Sequence, residues 1–170
     1  MAKRIIAIGG VPATGKSTLM KEIIKECMPL KTFKYKLVRG LYNIDKKIYI
    51  IGIYDNSVFS GTDKLSMATQ PDFIEFINKI PEHKIIFEGD RLFNQSLFNK
   101  VDCEIIVLKV DEDIIEQRHH IRQDTQSDQF KKAKETKIKN ILDNNNVVLL
   151  NNNTNEDSIK AKEYILNLIR

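Results

Sequence analysis

The chain has little cysteine, no long apolar run and no flexible linker. Its 170 residues include two cysteines, Cys27 and Cys103, too few for a disulfide framework, which favours a reducing cytoplasm. An apolar run of about 18 residues, long enough to span a membrane, is absent, and so is the apolar core of a signal peptide. We therefore expect a soluble protein without a membrane partner. Since no internal repeat or linker rich in Gly, Ser and Pro divides the chain, residues 1–170 are predicted to form one domain.

The composition allows a core but says little about partners. Hydrophobic residues make up 42% of the chain, as in ordinary globular domains. The formal net charge of +4 mildly favours an anionic partner. Nucleotides and nucleic acids are both anions, so charge alone does not choose between them.

What the chain does contain is a complete phosphate-binding loop. Residues 10–18 read GVPATGKST, match the pattern G-x-x-x-x-G-K-[ST], and follow the apolar run at residues 5–8. In such a loop, backbone N–H groups wrap the phosphates, the lysine reaches the β- and γ-phosphates, and the next hydroxyl ligates Mg²⁺. Apolar residues at helical spacing follow, which aims a helix N-terminus at the nucleotide. We therefore predict a site for ATP and Mg²⁺ whose nucleotide-binding residues are Gly10, Val11, Pro12, Ala13, Thr14, Gly15, Lys16, Ser17 and Thr18.

Strand and helix patterns alternate along the chain, which is typical of an α/β domain with a mostly parallel sheet. Strands are predicted at residues 5–8, 33–39, 47–54, 84–88, 104–110 and 147–150, and helices at 15–28, 72–80, 111–122, 129–143 and 157–169. The polar link at residues 41–46 is too short for a crossover helix, so the strands around it should form an antiparallel hairpin. The prediction is a three-layer P-loop NTPase fold, nucleoside monophosphate kinase-like, with an antiparallel hairpin insertion and a helical lid.

A carboxylate ends the strand predicted at residues 84–88. Ligands of open parallel sheets bind outside the carboxyl ends of the strands, so Glu88 should face the phosphate-binding loop and hold Mg²⁺ together with Ser17. The alternative is that Glu88 caps the helix that follows. Asp90 and Arg91 come next, and they resemble a substrate-binding pair of deoxynucleoside and thymidylate kinases. They are candidate substrate residues.

Basic residues follow the strand predicted at residues 104–110. Arg118 and Arg122 share one helix face, and guanidinium groups suit the clamping of phosphoryl oxygens during transfer. Both are candidate catalytic residues at the start of a lid at about residues 118–139. Further along this lid, Lys131, Lys132 and Lys134 are candidate contacts to phosphates or to a nucleic-acid backbone. A solvated basic helix face is the alternative for either set.

Two aspartates are candidates for the group that orients or deprotonates an acceptor hydroxyl. Asp55 follows a predicted strand, and Asp63 lies in the Gly-Thr-Asp turn of a loop of about a dozen residues, a length typical of functional loops. With Lys16, Arg118 and Arg122 they complete the predicted catalytic set. Either aspartate could instead be a helix cap or a turn residue.

Several segments together resemble a family of bacteriophage-type P-loop kinases. They are the phosphate-binding loop, GIYDNSVFSGTDKLSMATQPDFIEFI at residues 52–77, IIFEGDRLF at residues 85–93, and FKKAKETKIKNIL at residues 130–142. This family includes enzymes that phosphorylate 5-hydroxymethyluracil in phage DNA. The resemblance implies an ATP- and Mg²⁺-dependent kinase in the host cytoplasm, with DNA as its partner and a hydroxymethyl group as the acceptor. The lysines of the predicted lid would suit such a polymeric anion.

Two other hypotheses stay open. One is a small-molecule kinase for a free nucleoside, nucleotide or similar metabolite. The other is an ATP-binding regulatory NTPase without an acceptor substrate. The long loop and the arginines argue against the regulatory NTPase, because a switch needs no second substrate pocket. The sequence leaves the oligomeric state open.

Overall fold

A seven-stranded sheet forms the centre of the molecule. The structure is a computed structural model that describes residues 3–55, 60–121 and 127–170. The strands, in chain order, are β1 (Arg4–Gly9), β2 (Lys31–Tyr35), β3 (Val38–Asn43), β4 (Ile48–Ile51), β5 (Lys84–Glu88), β6 (Glu104–Lys109) and β7 (Val147–Asn151). Their order in the sheet is β2-β3-β4-β5-β1-β6-β7, and every neighbouring pair from β4 to β7 is parallel. The predicted α/β class with a mostly parallel sheet is confirmed.

Helices cover both faces of this sheet. They are α1 (Lys16–Glu26), α2 (Thr69–Lys79), α3 (Gln95–Phe98), α4 (Glu112–Ile121), α5 (Asp128–Asn144) and α6 (Asn155–Ile169). Side chains alternate between the faces of a strand, so Ile6 and Ile8 of β1 join one apolar cluster with α1 and α6, while Ile5 and Ala7 join another with α2 and α5. Because both faces are covered, the central strands read as unbroken apolar runs.

One edge of the sheet differs from the prediction of a single strand at residues 33–39. The chain turns at Lys36 and Leu37, so that β2 and β3 pair antiparallel, and β3 pairs antiparallel with β4. Lys36 takes the left-handed φ of 50° that this turn needs. Three antiparallel strands therefore replace the predicted hairpin of two. The turn contains no Gly, Pro or Asn that would have indicated it.

Apart from α2 and α3, each described helix begins and ends within two residues of its predicted bounds. Helix α2 begins at Thr69, three residues before the predicted start, so Pro71 lies within its first turn, where a missing N–H costs no hydrogen bond. The four-residue helix α3 was not predicted. No helix within the described ranges is long and apolar enough to cross a membrane.

The strand order places a crevice beside β1. The chain passes from β5, on one side of β1, to β6, on the other side. The carboxyl ends of β1 and β5 therefore meet at the point where the strand order reverses, which is where open α/β sheets bind their ligands.

Candidate functional site

The loop between β1 and α1 is closely packed at both glycines of the G-x-x-x-x-G motif. Gly10 has φ 152° and Gly15 has φ 89°. A Cβ atom at Gly10 would lie 2.7 Å from Thr14 Oγ1 and 2.9 Å from the carbonyl oxygen of Leu108. At Gly15 it would lie 2.5 Å from Asn152 Nδ2. Glycine is therefore required both by backbone conformation and by space.

Lys16 is the first residue of α1, and its side chain folds back across the loop. Its Nζ donates to the carbonyl oxygens of Gly10, at 2.8 Å, and Val11, at 3.0 Å. The positive charge thus lies next to the N-terminus of α1, where the first backbone N–H groups have no partner within the helix. A phosphate group would fit such a site, and the binding of nucleotide by residues 10–18 stays a prediction.

Asn152, in the loop after β7, holds the phosphate-binding loop in place through a hydrogen bond. It is 3% exposed, its Nδ2 donates to the carbonyl oxygen of Thr14 at 2.6 Å, and its Oδ1 accepts from Ser158 Oγ at 2.5 Å. Asn152 was not among the residues predicted for the site. No local sequence pattern distinguishes Asn152 from its neighbours in this loop.

Arg118 of α4 connects the same two loops. Its guanidinium donates to the carbonyl oxygens of Ala13, at 3.0 Å, and Asn152, at 2.8 Å. A cavity of about 420 Å³ opens beside it, and Arg118 and Ile121 line one wall. A planar guanidinium next to an apolar side chain suits the stacking of a nucleobase. Arg122, predicted to share this role, lies outside the described residues.

Glu88 ends β5 beside the phosphate-binding loop, as its strand position predicts. Its Oε1 accepts hydrogen bonds from Ser17 Oγ at 3.3 Å and Tyr54 OH at 3.2 Å. The residue is 2% exposed, and burial raises the pKa of Glu88 to about 7, although the Lys16 ammonium opposes the rise. Glu88 does not cap the helix that follows it, because the N-cap residue of α3 is Asn94.

Ser17 and Glu88 form a pair of oxygen donors that fits Mg²⁺. This ion prefers oxygen ligands, keeps several waters, and is held in kinase sites by one or two protein groups together with substrate phosphates. Among the residues that the structure describes, no group of three or more His, Cys, Asp or Glu side chains could hold a metal ion. A magnesium ion carried by nucleotide phosphates needs no such cluster.

The loop after β4 is anchored against the end of β5. Ile53 and Gly61 exchange backbone hydrogen bonds of 3.0 and 2.9 Å, and Thr62 Oγ1 donates to the carbonyl oxygen of Glu88 at 2.9 Å. Gly61 has φ 80°, and a Cβ atom there would lie 2.2 Å from Glu88 Oε1. Glycine at this position lets the loop touch the Glu88 carboxylate.

This anchoring separates the two candidate aspartates. Asp63 Oδ1 accepts from the backbone N–H of Asp90 at 2.8 Å, and the residue lines a cavity beside the phosphate-binding loop. Asp55 instead pairs with Lys64 at 2.5 Å, its side chain is 48% exposed, and it is not among the described residues that line this cavity. Of the two, the structure brings Asp63 to the phosphate-binding loop.

The cavity at Asp63 has a volume of about 150 Å³ and lies between the phosphate-binding loop, the end of β5 and α5. We call it the acceptor cavity. The start of α1, the loop after β4, the end of β5 with the residues that follow it, and α5 contribute to its wall, through Lys16, Ser17, Asp63, Glu88, Asp90 and Lys134. With Gly10 and Pro12, eight of the predicted site residues thus line one small cavity.

Asp90 joins α5 to this cavity. Its carboxylate accepts hydrogen bonds from Lys134 and Lys137, the latter at 3.1 Å. Burial acts to raise the pKa of Asp90, but the two ammonium groups outweigh it and hold that pKa below its usual value. The end of β5 and α5 are therefore held together by an ion-pair cluster at the cavity wall.

Three other predicted substrate residues do not line the acceptor cavity in the described part of the chain. Arg91 Nε donates to the carbonyl oxygen of Leu65 at 3.2 Å, so it ties the loop after β4 to β5. Lys131 lines a separate cavity between the phosphate-binding loop, α4 and α5, and Lys132 is exposed to solvent. Of the three predicted lysines of α5, Lys134 is thus the one that lines the acceptor cavity.

The chain matches no protein-family model and no curated protein. Among solved structures, it is similar to a gluconokinase from Sinorhizobium meliloti 1021, with a TM-score of 0.48 and 12% sequence identity. The similarity covers 98% of this chain and 95% of that one.

Proposed function

We propose that this protein is a P-loop kinase that uses ATP and Mg²⁺ to phosphorylate a hydroxyl group of a small molecule. The observation that carries the proposal is the convergence of Lys16, Glu88 and Asp63 on one acceptor cavity. A phosphate-binding loop alone would also suit a motor or a regulatory NTPase. A second carboxylate beside that loop, in a cavity of its own, is what a two-substrate phosphotransferase needs.

Residues 10–18 and their neighbours form the donor half. The backbone of this loop and Lys16 would bind the phosphates, and Ser17 and Glu88 would hold Mg²⁺, which would neutralise phosphate charge. Arg118 and Ile121 provide the wall for the nucleobase. Arg122 stays a predicted catalytic residue of the same helix.

Asp63 acts in the acceptor half. The N–H of Asp90 fixes its carboxylate, which then accepts the hydrogen of the acceptor hydroxyl. The hydroxyl oxygen forms a bond to the γ-phosphorus while the bond between that phosphorus and the β–γ bridging oxygen breaks. The proton passes to Asp63 and ADP leaves. In such a reaction the protein contributes mainly position and charge.

The proposal also covers the finer architecture. The whole of residues 1–170 would be one kinase domain with the P-loop NTPase fold of the nucleoside monophosphate kinase type, and α4 and α5 would act as its lid. The reversal of strand order at β1 and the placement of α5 on the acceptor cavity support this assignment. A kinase that uses free ATP would work in the cytoplasm.

The acceptor cavity favours a small substrate over a base in DNA. Its volume of about 150 Å³ is well below the roughly 300–1,000 Å³ of pockets that enclose drug-sized ligands. Phosphorylation of 5-hydroxymethyluracil in DNA remains a prediction of the family resemblance, and the same experiment tests it.

The test is phosphoryl transfer from γ-labelled ATP with Mg²⁺. Parallel reactions offer small polyols, hydroxy acids, free nucleosides and nucleotides, plain DNA, and DNA that contains 5-hydroxymethyluracil. We expect label on a small hydroxyl compound and none in the Lys16→Ala variant. Label only on the modified DNA would overturn the small-molecule assignment. Label released only as inorganic phosphate, whatever is offered, would favour a regulatory NTPase.

A further inference from the structure

The acceptor cavity contains an ammonium group for which the transfer step has no use. Lys16, Glu88 and Asp63 account for the phosphates, the metal ion and the acceptor hydroxyl. Lys134 of α5 lines the same cavity and belongs to none of these roles. Its position therefore points to another part of the acceptor.

Lys134 is held in place from two sides. Its Nζ is hydrogen-bonded to Asp90 Oδ2 and lies 5.1 Å from the centroid of the Phe130 ring, a cation–π contact. Its side chain is only 25% exposed, although lysine is usually one of the most mobile residues on a surface. An ammonium group already ordered at the wall of a cavity binds an anion at a lower entropic cost.

The cluster around Asp90 carries more positive than negative charge. One carboxylate faces the two ammonium groups of Lys134 and Lys137, so the three side chains have a formal charge of +1. Lys137 by itself balances the charge of Asp90. The ammonium of Lys134, on the cavity side, is thus available to a second anion without leaving Asp90 unpaired.

Asp90 also sets where this ammonium lies relative to the reacting hydroxyl. Its backbone N–H donates to Asp63 at 2.8 Å, and its side chain holds Lys134. One residue therefore fixes both the carboxylate that receives the hydroxyl and a cation of the same cavity. A molecule that contacts both carries a hydroxyl and a negative charge, and both groups must fit within a cavity of about 150 Å³.

We propose that the acceptor is a small hydroxy compound with an anionic group, a carboxylate or a phosphate, and that Lys134 binds this group while Asp90 positions it. This inference rests on the proposed kinase function and specifies its substrate class. It also gives a reason why Lys134, alone among the three predicted lid lysines, lines the cavity.

The test compares related acceptors with and without an anionic group. Matched pairs are D-gluconate and D-glucitol, D-glycerate and glycerol, and glycerol 3-phosphate and glycerol, with ADP formation as the readout. We expect kcat/KM to be about 10- to 100-fold higher for the anionic member of at least one pair, the usual effect of a hydrogen bond to a charged group. The carboxylate and phosphate arms identify which anion is preferred.

Variants of α5 then assign the preference to Lys134. Lys134→Met should lower kcat/KM for the anionic member by about the same factor and change kcat/KM for the neutral member by less than about threefold. Lys134→Arg should keep most of the preference for the anionic member. Lys139→Met, an exposed lysine of the same helix, is the matched control and should change neither value. Equal kcat/KM for both members of every pair, or a preference that survives in Lys134→Met, overturns the inference.

Two further measurements cover other outcomes. If Lys134→Met does not fold, the salt dependence of the unaltered protein is measured instead. Its preference for the anionic acceptor must shrink as salt is raised from 50 to about 500 mM, because screening weakens a charge pair. A preference independent of salt overturns the inference. If no pair supports transfer, calorimetric titration with a non-hydrolysable ATP analogue and Mg²⁺ decides, because failure of all the anionic probes to bind overturns it. Loss of ATP binding in Lys16→Ala is scored separately and tests the kinase function itself.

Discussion

Replacing Glu88 by glutamine should alter the stability of the protein in a way that depends on pH. Glu88 is 2% exposed, and burial raises its pKa to about 7 from a usual value of 4.5. The contribution of such a group to stability is fully present below pH 4.5 and is lost as the pH rises towards 7, because the folded protein holds the proton more tightly than the unfolded chain. Glutamine has no such proton, so the variant avoids this loss.

The expected size follows from the pKa shift. Each pKa unit corresponds to about 1.4 kcal/mol, so the shift of Glu88 amounts to about 3 kcal/mol. Glutamine keeps an oxygen that can accept from Ser17 and Tyr54, so the hydrogen bonds at Oε1 do not cause the difference. We expect the stability of Glu88→Gln relative to the unaltered protein to be about 2–3 kcal/mol more favourable at pH 8 than at pH 5.

The assay is urea unfolding followed by far-ultraviolet circular dichroism at both pH values, in EDTA and without nucleotide. Glu135→Gln, a change of an exposed glutamate on α5, is the matched control and should keep the pH dependence of the unaltered protein. A stability difference between Glu88→Gln and the unaltered protein that is the same at pH 5 and pH 8, within about 0.5 kcal/mol, would refute the reasoning.

Three further changes test other parts of the site. Asn152→Ala removes the donor to the Thr14 carbonyl, so it should lower the free energy of unfolding by about 1–3 kcal/mol and weaken ATP binding in a calorimetric titration. Unaltered ATP affinity would contradict the role of Asn152 in holding the phosphate-binding loop. Gly61→Ala places a Cβ atom 2.2 Å from Glu88 Oε1 on a backbone with φ 80°, so urea unfolding should show a free energy of unfolding about 1–3 kcal/mol lower. A variant as stable as the unaltered protein would show that the loop does not touch Glu88. Asp90→Asn removes a carboxylate whose pKa lies below its usual 3.8, so its stability deficit should be present at pH 7 and shrink as the pH falls through 3.8 and below; a deficit independent of pH would argue against the ion pairs.

The parts of the site that sequence could predict depend on short segments and on one topological rule. The phosphate-binding loop is contiguous, and its glycines and Lys16 have fixed spacing, so the pattern alone defines the local structure. Glu88 was found because a carboxylate at the end of an apolar strand must lie at the ligand-binding edge of a parallel sheet. Its pairing with Ser17, 71 residues away, followed from that rule.

Other features depend on contacts that a single sequence does not reveal. The turn at Lys36 and Leu37 lacks turn residues, so the two strands beside it looked like one. Asn152 reaches the Thr14 carbonyl across 138 residues, and no local pattern marks that contact. The choice between Asp55 and Asp63 required the backbone contact of Asp63 with the end of β5.

The central claim is that Asp63 receives the acceptor hydroxyl beside a nucleotide held by the phosphate-binding loop. The most direct test measures transfer of the labelled γ-phosphoryl group to the preferred acceptor in Asp63→Asn and in the matched Asp55→Asn variant. We predict that Asp63→Asn lowers kcat by about 10²- to 10⁴-fold with ATP affinity unchanged, and that Asp55→Asn retains transfer. Normal transfer by Asp63→Asn, or its loss in Asp55→Asn alone, would contradict the account.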